Sequence, residues 1–562
     1  MPFPLSIPTY APLTSTTGFA GGEMSSDPAD NLILAVNAGS SSLKISLYHL
    51  DPSFNPKSNS STGDFDVRTQ DPVRLLLVST ISSISSPPAK FSFKPSPSNL
   101  AQFQDLTGGN TEAKTIKNKE VPSITNHETA FTYFLTHLEE NGGIKKESIR
   151  RVGHRVVHGG DFRQPAVIDK KSYEHIEELS DLAPLHNGSA LTLIRTTLQV
   201  LPHAVSIAYF DTAFHSTIPP HISSYAIDQK VAKRRGLRKY GFHGLSYAYI
   251  LRTVATHLDI PSVKTPASVP PSETPNKSSS EPPDINLIIL HLGSGASACC
   301  IKNGKSYDTT MGLTPVSGLP GATRSGDVDP SLVFHWYGHV KALATRPSTP
   351  ASGRGTPSSK KGKDGEDGDG EEDEDEDVVA PEGVGRLSHH QTAGVDVRVT
   401  VAEDILNRRS GWKSITGTTD MGEIVKKVKE RREQGVAEDP ENPDPYLLAY
   451  DLLIDRLLTY IGSYYLKLEG KVDAIVFAGG IGEKSVELRQ DVVERMACFG
   501  FSINKERNAN VGNAEAGLGE DKKVVEISES WEGKEGKRVL VCWTDEQLEM
   551  ARECALEPSF WP

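Results

Sequence analysis

Residues 32–46 read LILAVNAGSSSLKIS: an apolar run, a turn of Gly and Ser, then a second run with alternating apolar positions. Residues 286–300, NLIILHLGSGASACC, repeat the pattern, with Gly39 and Ser40 falling on Gly293 and Ser294. Short apolar runs broken by Gly and Ser read as strand–turn–strand. Two copies indicate an internal duplication, although two ordinary hairpins account for the repetition equally well. The loop leads into a strand rather than a helix, and neither GxxxxGKS nor GxxxxGKT occurs in the chain, so a P-loop is excluded. Two such loops facing one another would offer backbone N–H groups to a phosphate chain from both sides of a cleft.

Working outward, strand-like NLILAV, KISLY, VRLLLVS, RRVGHRVV, AVSIAYF, INLIIL, DAIVFA and KRVLVCW alternate with helix-like periodicity at 126–140, 187–200, 245–257, 443–468 and 485–498. Strands alternating with helices predict α/β layering, and 562 residues suffice for two cores. The expected organisation is a disordered extension at 1–30, an N-terminal α/β domain at 31–260, a low-complexity insertion at 261–284 and a C-terminal α/β nucleotide-binding domain at 285–562. Stretches rich in Ser, Pro, Asn and Lys at 51–72 and 83–122, and a Gly/Ser/Pro stretch turning acidic at 345–385, are expected as insertions outside the core.

The chain carries 73 acidic against 60 basic side chains, a formal charge of −13. That balance disfavours a nucleic-acid-coating surface while leaving room for a locally basic pocket. Residues 364–377 alone hold 11 acidic side chains and no basic one, so much of the acidity belongs to one insertion rather than to a cleft. No run approaches the roughly 18 apolar residues of a membrane span. The first thirty residues contain no Lys or Arg and so lack the cationic character of a secretory or mitochondrial leader. Five cysteines without CxxC spacing, mostly in apolar runs, read as core thiols in a reducing cytoplasmic setting.

Several polar, Gly-rich strings carry chemistry. Asn37 to Lys44 concentrates small residues, hydroxyls and a cation after a buried strand. GHRVVHGG sets Arg155 at a strand end, placed to fork onto a carboxylate or phosphate; a structural ion pair is its bland alternative. A second such arginine, Arg324, lies in GLPGATRSGDVDP beside Asp327 and Asp329. Asp211 follows AVSIAYF at the strand's C-terminal end, where α/β proteins gather catalytic groups, with helix capping as the alternative. His243 in YGFHGLS and His186 in LAPLHNG precede helices, and without HExxH or Cys/His spacing they suit hydrogen bonding better than zinc. VFAGGIGEKS breaks a buried strand into glycines ahead of a helix, a natural nucleotide contact.

In order along the chain, NLILAVNAGSSSLKISLY, GHRVVHGG, LAPLHNG, FDTAFHSTIP, RKYGFHGLS, HLGSGAS, MGLTPVSGLPGATRSGDVDP, VDAIVFAGGIGEKS and TDEQLEMARE resemble the acetate kinase (acetokinase) family and skip the insertions. The resemblance implies two duplicated ribonuclease H-like domains around a nucleotide cleft, as in the sugar kinase/heat-shock ATPase/actin superfamily, and a homodimer. It implies reversible Mg2+-dependent transfer of phosphoryl between ATP and acetate, giving ADP and acetyl phosphate. Carried over position by position, Arg155 and Arg324 hold acetyl phosphate, His243 contacts the transferring phosphoryl group and His186 assists it. Asp211 is the catalytic aspartate, with Asn37 and Glu546 near the magnesium. Ser40, Ser42, Lys44, Gly293, Ser294, Gly295, Asp420, Gly479, Gly480, Gly482 and Lys484 border the nucleotide.

The departures are patterned. Ser294 stands where the family motif HLGNG has Asn, Leu245 and Tyr247 stand in GFHGTSH, Lys484 replaces the Asn of GGIGENS, and Gly422 sits where an Arg is expected. Most fall on the nucleotide side. A propionate or butyrate kinase and a pyrophosphate-dependent enzyme therefore stay open, as does a non-catalytic scaffold with an acidic interaction loop, against which the joint presence of Arg155, Asp211, His243, Arg324 and Glu546 argues.

Overall fold

Every residue of Leu32–Ala38 (β1) is buried, as a strand covered by helices on both faces requires. The structure is a computed structural model, and it describes residues 31–57, 60–61, 70–99, 114–179, 184–260, 285–336, 387–392, 395–436, 439–512, 523–529 and 537–561. The expected extension at 1–30, the insertion at 261–284 and the acidic stretch at 345–385 lie outside the described residues.

The first sheet contains β1, Ser42–Leu50 (β2), Val73–Ser82 (β3), Ala89–Pro95 (β4), Ile116–Val121 (β5), Ile149–Val156 (β6), Ala166–Val167 (β7) and Val205–Phe210 (β8), in the order β5-β4-β3-β2-β1-β6-β8-β7. The second contains Leu287–Leu292 (β9), Ala296–Lys302 (β10), Lys305–Thr309 (β11), Ala474–Ala478 (β12), Val524–Glu526 (β13) and Arg538–Cys542 (β14), ordered β11-β10-β9-β12-β14-β13. In each sheet an antiparallel β1–β2 or β9–β10 hairpin adjoins two parallel strands, β6 and β8 or β12 and β14. The duplication suggested by two short strings is thus a duplication of sheet topology. The helices needed below are His127–Glu140 (α1), Pro184–Val200 (α2), Gly244–His257 (α3), Met421–Glu433 (α4), Pro445–Lys467 (α5), Gly479–Lys484 (α6), Val486–Arg495 (α7) and Glu546–Leu556 (α8).

Two expectations need correction. Residues 83–122 are not wholly outside the core, since β4 and β5 extend the first sheet. Along β4 the burial alternates, with Phe91 and Phe93 inward, and both rings meet His137 of α1 edge-on. Between 51 and 72, Phe54 is buried, and Asp71 pairs with Arg252 at 3.1 Å and Lys523 at 2.9 Å. The Ser, Pro and Lys content of these stretches obscured their period-two pattern.

Nor does the 261–284 division separate the packing. From the N-terminal side, α3 packs Tyr247, Ile250, Leu251 and Val254 with Leu287, Ile289 and Val476 of the second sheet. From the C-terminal side, α8 returns to the first sheet, where Met550, Ala551 and Cys554 pack with Ile33, Ala35 and Tyr209. Each half therefore lends a helix to the other. Cys299, Cys300, Cys542 and Cys554 are buried as expected, whereas Cys498 is exposed. Among the described residues no helix is long and apolar enough to cross a membrane.

Candidate active site

The strands β1, β6 and β8 are parallel neighbours, so their C-terminal ends deliver Asn37, Arg155 and Asp211 to one edge. Arg155 donates through Nη2 to Asp211 Oδ2 at 2.7 Å and through Nε to the same oxygen at 3.2 Å. Its Nη1 lies 3.0 Å from Glu546 Oε2 and 3.4 Å from Asn37 Oδ1. Asn37 Nδ2 donates to Glu546 Oε2 at 2.7 Å, and Ser246 Oγ donates to Oε1 at 2.7 Å. Glu546 opens α8, and the return of that helix to the first sheet is what joins it to Asn37.

One guanidinium therefore separates two carboxylates. Burial raises the pKa of Asp211, with Arg155 only partly offsetting it and Glu546 adding to the rise. Burial pushes Glu546 up too, but Arg155, the Ser246 hydroxyl and other cations outweigh it and hold that carboxyl below its usual range. Burial opposes the charge on Arg155, yet Asp211 and then Glu546 prevail and raise its pKa. Asp211 also accepts a hydrogen bond from the Leu245 backbone at the start of α3; the ion-pair alternative is thus realised, whereas the N-cap position of the turn that follows Asp211 is Thr212.

His243 precedes α3 in the left-handed region, φ 58°, uncommon for a residue with a Cβ. A Cβ on the next residue, Gly244, would lie 1.8 Å from the Asp211 carbonyl oxygen, so only glycine lets these two loops touch. His215 steadies the turn: its Nε2 lies 2.9 Å from the Phe242 carbonyl and its Nδ1 2.8 Å from Ser306 Oγ. The Nδ1 of His243 is 2.8 Å from Ser297 Oγ, and its ring stands 4.3 Å from that of His291. Burial first, then His291, Arg155 and Arg324, keep His243 well below the usual imidazole pKa.

The second hairpin's turn, Gly293 to Gly295, comes up against His243. A Cβ on Gly295 would come within 2.9 Å of Arg324 Nη1 and 4.0 Å of His243 Nε2, which places those two groups together over the turn. Burial lowers the pKa of Arg324 to about 10. Because β12 runs parallel beside β9, the start of α6 abuts the same turn. Gly479 has φ +74°, and a Cβ there would lie 2.7 Å from the Leu292 carbonyl oxygen. The Glu483 carboxylate accepts from the backbones of Thr544 and Gly479 and feels the charges of Lys484 and Lys44; burial nonetheless raises its pKa. Lys44, from the first hairpin, also acts on Glu546 and His291.

The structure thus gathers Asn37, Arg155, Asp211 and Glu546 into one hydrogen-bonded cluster, and Gly295, His243 and Arg324 into a second group beside it. Ser42 closes the first turn, its carbonyl accepting from Gly39. Ser40, Lys44, Ser294 and Lys484 are exposed. Gly480 has open space where a Cβ would stand, whereas Gly482 is on the buried side of α6 with Phe477 in van der Waals reach. Asp420 is exposed and caps α4 by accepting from Gly422 at 2.8 Å, without a contact to the groups above. His186 falls in the first turn of α2, and its side chain lies outside the described residues. The motifs did not single out His291, Ser246, Ser297 or Glu483. The repeat itself marks His291, which takes the place of Asn37 when Gly39 is aligned with Gly293; among the described residues its buried Nδ1 has no hydrogen-bond partner.

The acetokinase family pattern matches residues 96–267, 272–344 and 389–550. A probable acetate kinase of Emericella nidulans is 39% identical over 526 residues, covering 93% of this chain and 97% of that one. Among solved structures, a propionate kinase from Francisella tularensis superposes with a TM-score of 0.62 at 26% identity, over 93% of this chain and 98% of that one. Porphyromonas gingivalis acetate kinase superposes with a TM-score of 0.58 at 25% identity, with the same two coverages.

Proposed function

The chain belongs to the acetokinase family, and from that premise we propose that it transfers a phosphoryl group reversibly between ATP and acetate, with Asn37, Arg155, Asp211, His243, Arg324 and Glu546 forming the reaction site. The observation that carries this reading is the pair of cationic groups that converge on His243: Arg155 braced by two carboxylates, and Arg324 set beside His243 over the Gly295 turn.

Acetate, a carboxylic acid with a pKa near that of Asp or Glu, is already ionised at neutral pH and needs no strong base to attack. Its obstacle is the negative charge of the phosphate, about 4 kcal/mol for two unit charges at 4 Å and an effective dielectric near 20. Arg155 and Arg324 supply the compensating charge, and His243 adds a donor toward the equatorial phosphoryl oxygens, where charge spreads during in-line transfer. Asp211, tied to Arg155 and the Leu245 backbone, orients the arginine and the substrate rather than abstracting a proton.

Members of this family work with a divalent metal and ATP, and Mg2+ is the ion of this reading. Asn37 and Glu546, joined by the 2.7 Å hydrogen bond from Asn37 Nδ2 to Glu546 Oε2, carry hard oxygens of the kind Mg2+ takes alongside phosphate oxygens. When bound, the ion would act as a Lewis acid on those oxygens. The Gly293–Gly295 turn, the start of α6, Lys44 and Lys484 would border the nucleotide, with Asp420 further out. A homodimer completes the proposal; Leu448 and Leu466, exposed on α5, supply apolar surface for it.

The deciding assay incubates purified protein with acetyl phosphate and ADP, then with ATP and acetate, propionate or butyrate, then with acetyl phosphate and inorganic phosphate. Turnover of the acetate/ATP pair at the highest kcat/KM is expected. Preference for a longer acid, for pyrophosphate formation or for no pair at all would reject the assignment. Light scattering on the same sample reads the dimer.

A further inference from the structure

Tyr247 lies in the first turn of α3, fully buried, where the family motif has histidine. Its hydroxyl is 2.5 Å from Ser297 Oγ, and Ser297 Oγ is 2.8 Å from His243 Nδ1. Ser297 belongs to β10 of the second sheet and is itself buried. The three side chains form a single file from the core to the cleft.

Counting hydrogens along that file assigns its direction. A phenol carries one hydrogen, and a buried one without an acceptor bears its full desolvation penalty. Among the described residues the group that meets the Tyr247 hydroxyl is Ser297 Oγ, so the phenol donates to it. Ser297 also has one hydrogen; with its oxygen accepting from Tyr247, that hydrogen points to His243 Nδ1. The nitrogen that accepts it is bare, and the imidazole proton sits on Nε2, the atom beside Gly295 and Arg324. The reverse order, Nδ1–H into Ser297 and Ser297 into the phenol oxygen, strands the phenolic hydrogen in the core, and a serine oxygen accepting from both neighbours leaves its own buried hydrogen without an acceptor among the described residues.

We propose that Tyr247 is a positioning residue which, through Ser297, holds His243 as the neutral Nε2–H tautomer, a fixed hydrogen-bond donor to the cleft rather than an acid. The use of that donor toward a phosphoryl oxygen rests on the function proposed above; the tautomer does not. The surroundings act in the same direction. His291 from β9, Arg155 from β6, Arg324 from its loop and His215 from the turn after β8 all face His243, and a second proton on the ring would meet their positive or potentially positive charge. Tyr247 itself packs with Phe214, His215, His291 and Cys299; the ring nitrogens of His215 are taken by Phe242 and Ser306, and among the described residues the acceptor within hydrogen-bond distance of the phenol is the serine oxygen.

Histidine-selective 15N spectra of the whole protein test the tautomer directly, with the His243 signals assigned by their loss in His243→Gln. A bare Nδ1 and a protonated Nε2 are expected from pH 8 to pH 5.5; a protonated Nδ1, or an imidazolium at pH 7, overturns the proposal. In Tyr247→Phe the serine is released, and Nδ1 becomes free to take a proton. That variant is expected to lose about tenfold in kcat, the scale of one hydrogen bond, with each KM within about twofold. Its kcat should also acquire an acid limb near the ordinary imidazole pKa of about 6.5, absent from the parent. Ser297→Ala should show the same limb. An unchanged tautomer and pH profile in Tyr247→Phe refutes the relay. If no acyl phosphate is turned over by any sample, the function has failed, while the spectra of parent and Tyr247→Phe still decide the tautomer.

Discussion

Replacing Arg155 by alanine removes one guanidinium from between two carboxylates, and its consequences separate catalysis from stability. At an effective dielectric near 20, contacts of 2.7 Å to Asp211 and 3.0 Å to Glu546 correspond to gross attractions of about 6 and about 5.5 kcal/mol. Desolvation cancels most of this, so the net cost of stranding the partners is nearer 3–5 kcal/mol. Catalysis should fall by roughly 10²–10³ in kcat, the scale for losing one transition-state donor. The pH signature follows from the remaining carboxylates. Asp211 already has a raised pKa and rises further above its unfolded value without its cation, while Glu546, held below its own unfolded value mainly by Arg155, loses that support. A group raised in the folded state contributes stability below its unfolded pKa and loses it as pH climbs through the folded one. The variant should therefore lose more stability relative to the parent at pH 8 than at pH 5. Stopped-time assays of acetyl phosphate formation and urea denaturation at the two pH values provide both readouts. A kcat within threefold of the parent, or a stability deficit that grows toward low pH, would refute this account of the cluster.

Three further outcomes are expected. Gly244→Ala puts a Cβ 1.8 Å from the Asp211 carbonyl and should abolish activity by parting the His243 and Asp211 loops; a crystal structure of an active Ala variant would contradict it. Glu483→Gln leaves a weaker acceptor for the Gly479 and Thr544 backbones, so the nucleotide KM should rise roughly fivefold while kcat moves less than about threefold; an unchanged KM would detach Glu483 from the nucleotide turn. His154, His158 and His215 are held neutral by burial, with pKa values lowered to about 3, about 4 and about 4. The unfolded chain binds these three protons near pH 6.5 and the native one does not, so stability should be whole above that pH and fall by about 4 kcal/mol per pH unit between roughly 6 and 5. Denaturation midpoints that stay level over that interval would show that the histidines protonate without unfolding.

The first hairpin, its repeat and the site strings at strand ends were legible in the chain because each is a local event. A buried strand needs an apolar run, and a turn that admits phosphate needs Gly and Ser, so both leave marks within about ten residues. Arg155, Asp211 and Arg324 could be singled out as charged groups beside such turns. The strands of Phe91 and Ile116 escaped because Ser and Lys on the outward face hid the alternation of β4, and β5 buries little beyond Val121.

What tertiary structure alone decided is which distant groups meet. Apart from the family resemblance, nothing near Glu546 in the sequence announces that α8 turns back to the first sheet and sets its carboxylate against Asn37 and Arg155, and nothing near Tyr247 announces Ser297. Periodicity records whether a residue faces a core. The partner it finds there depends on how two sheets exchange helices, and that packing is settled only when the whole chain has folded.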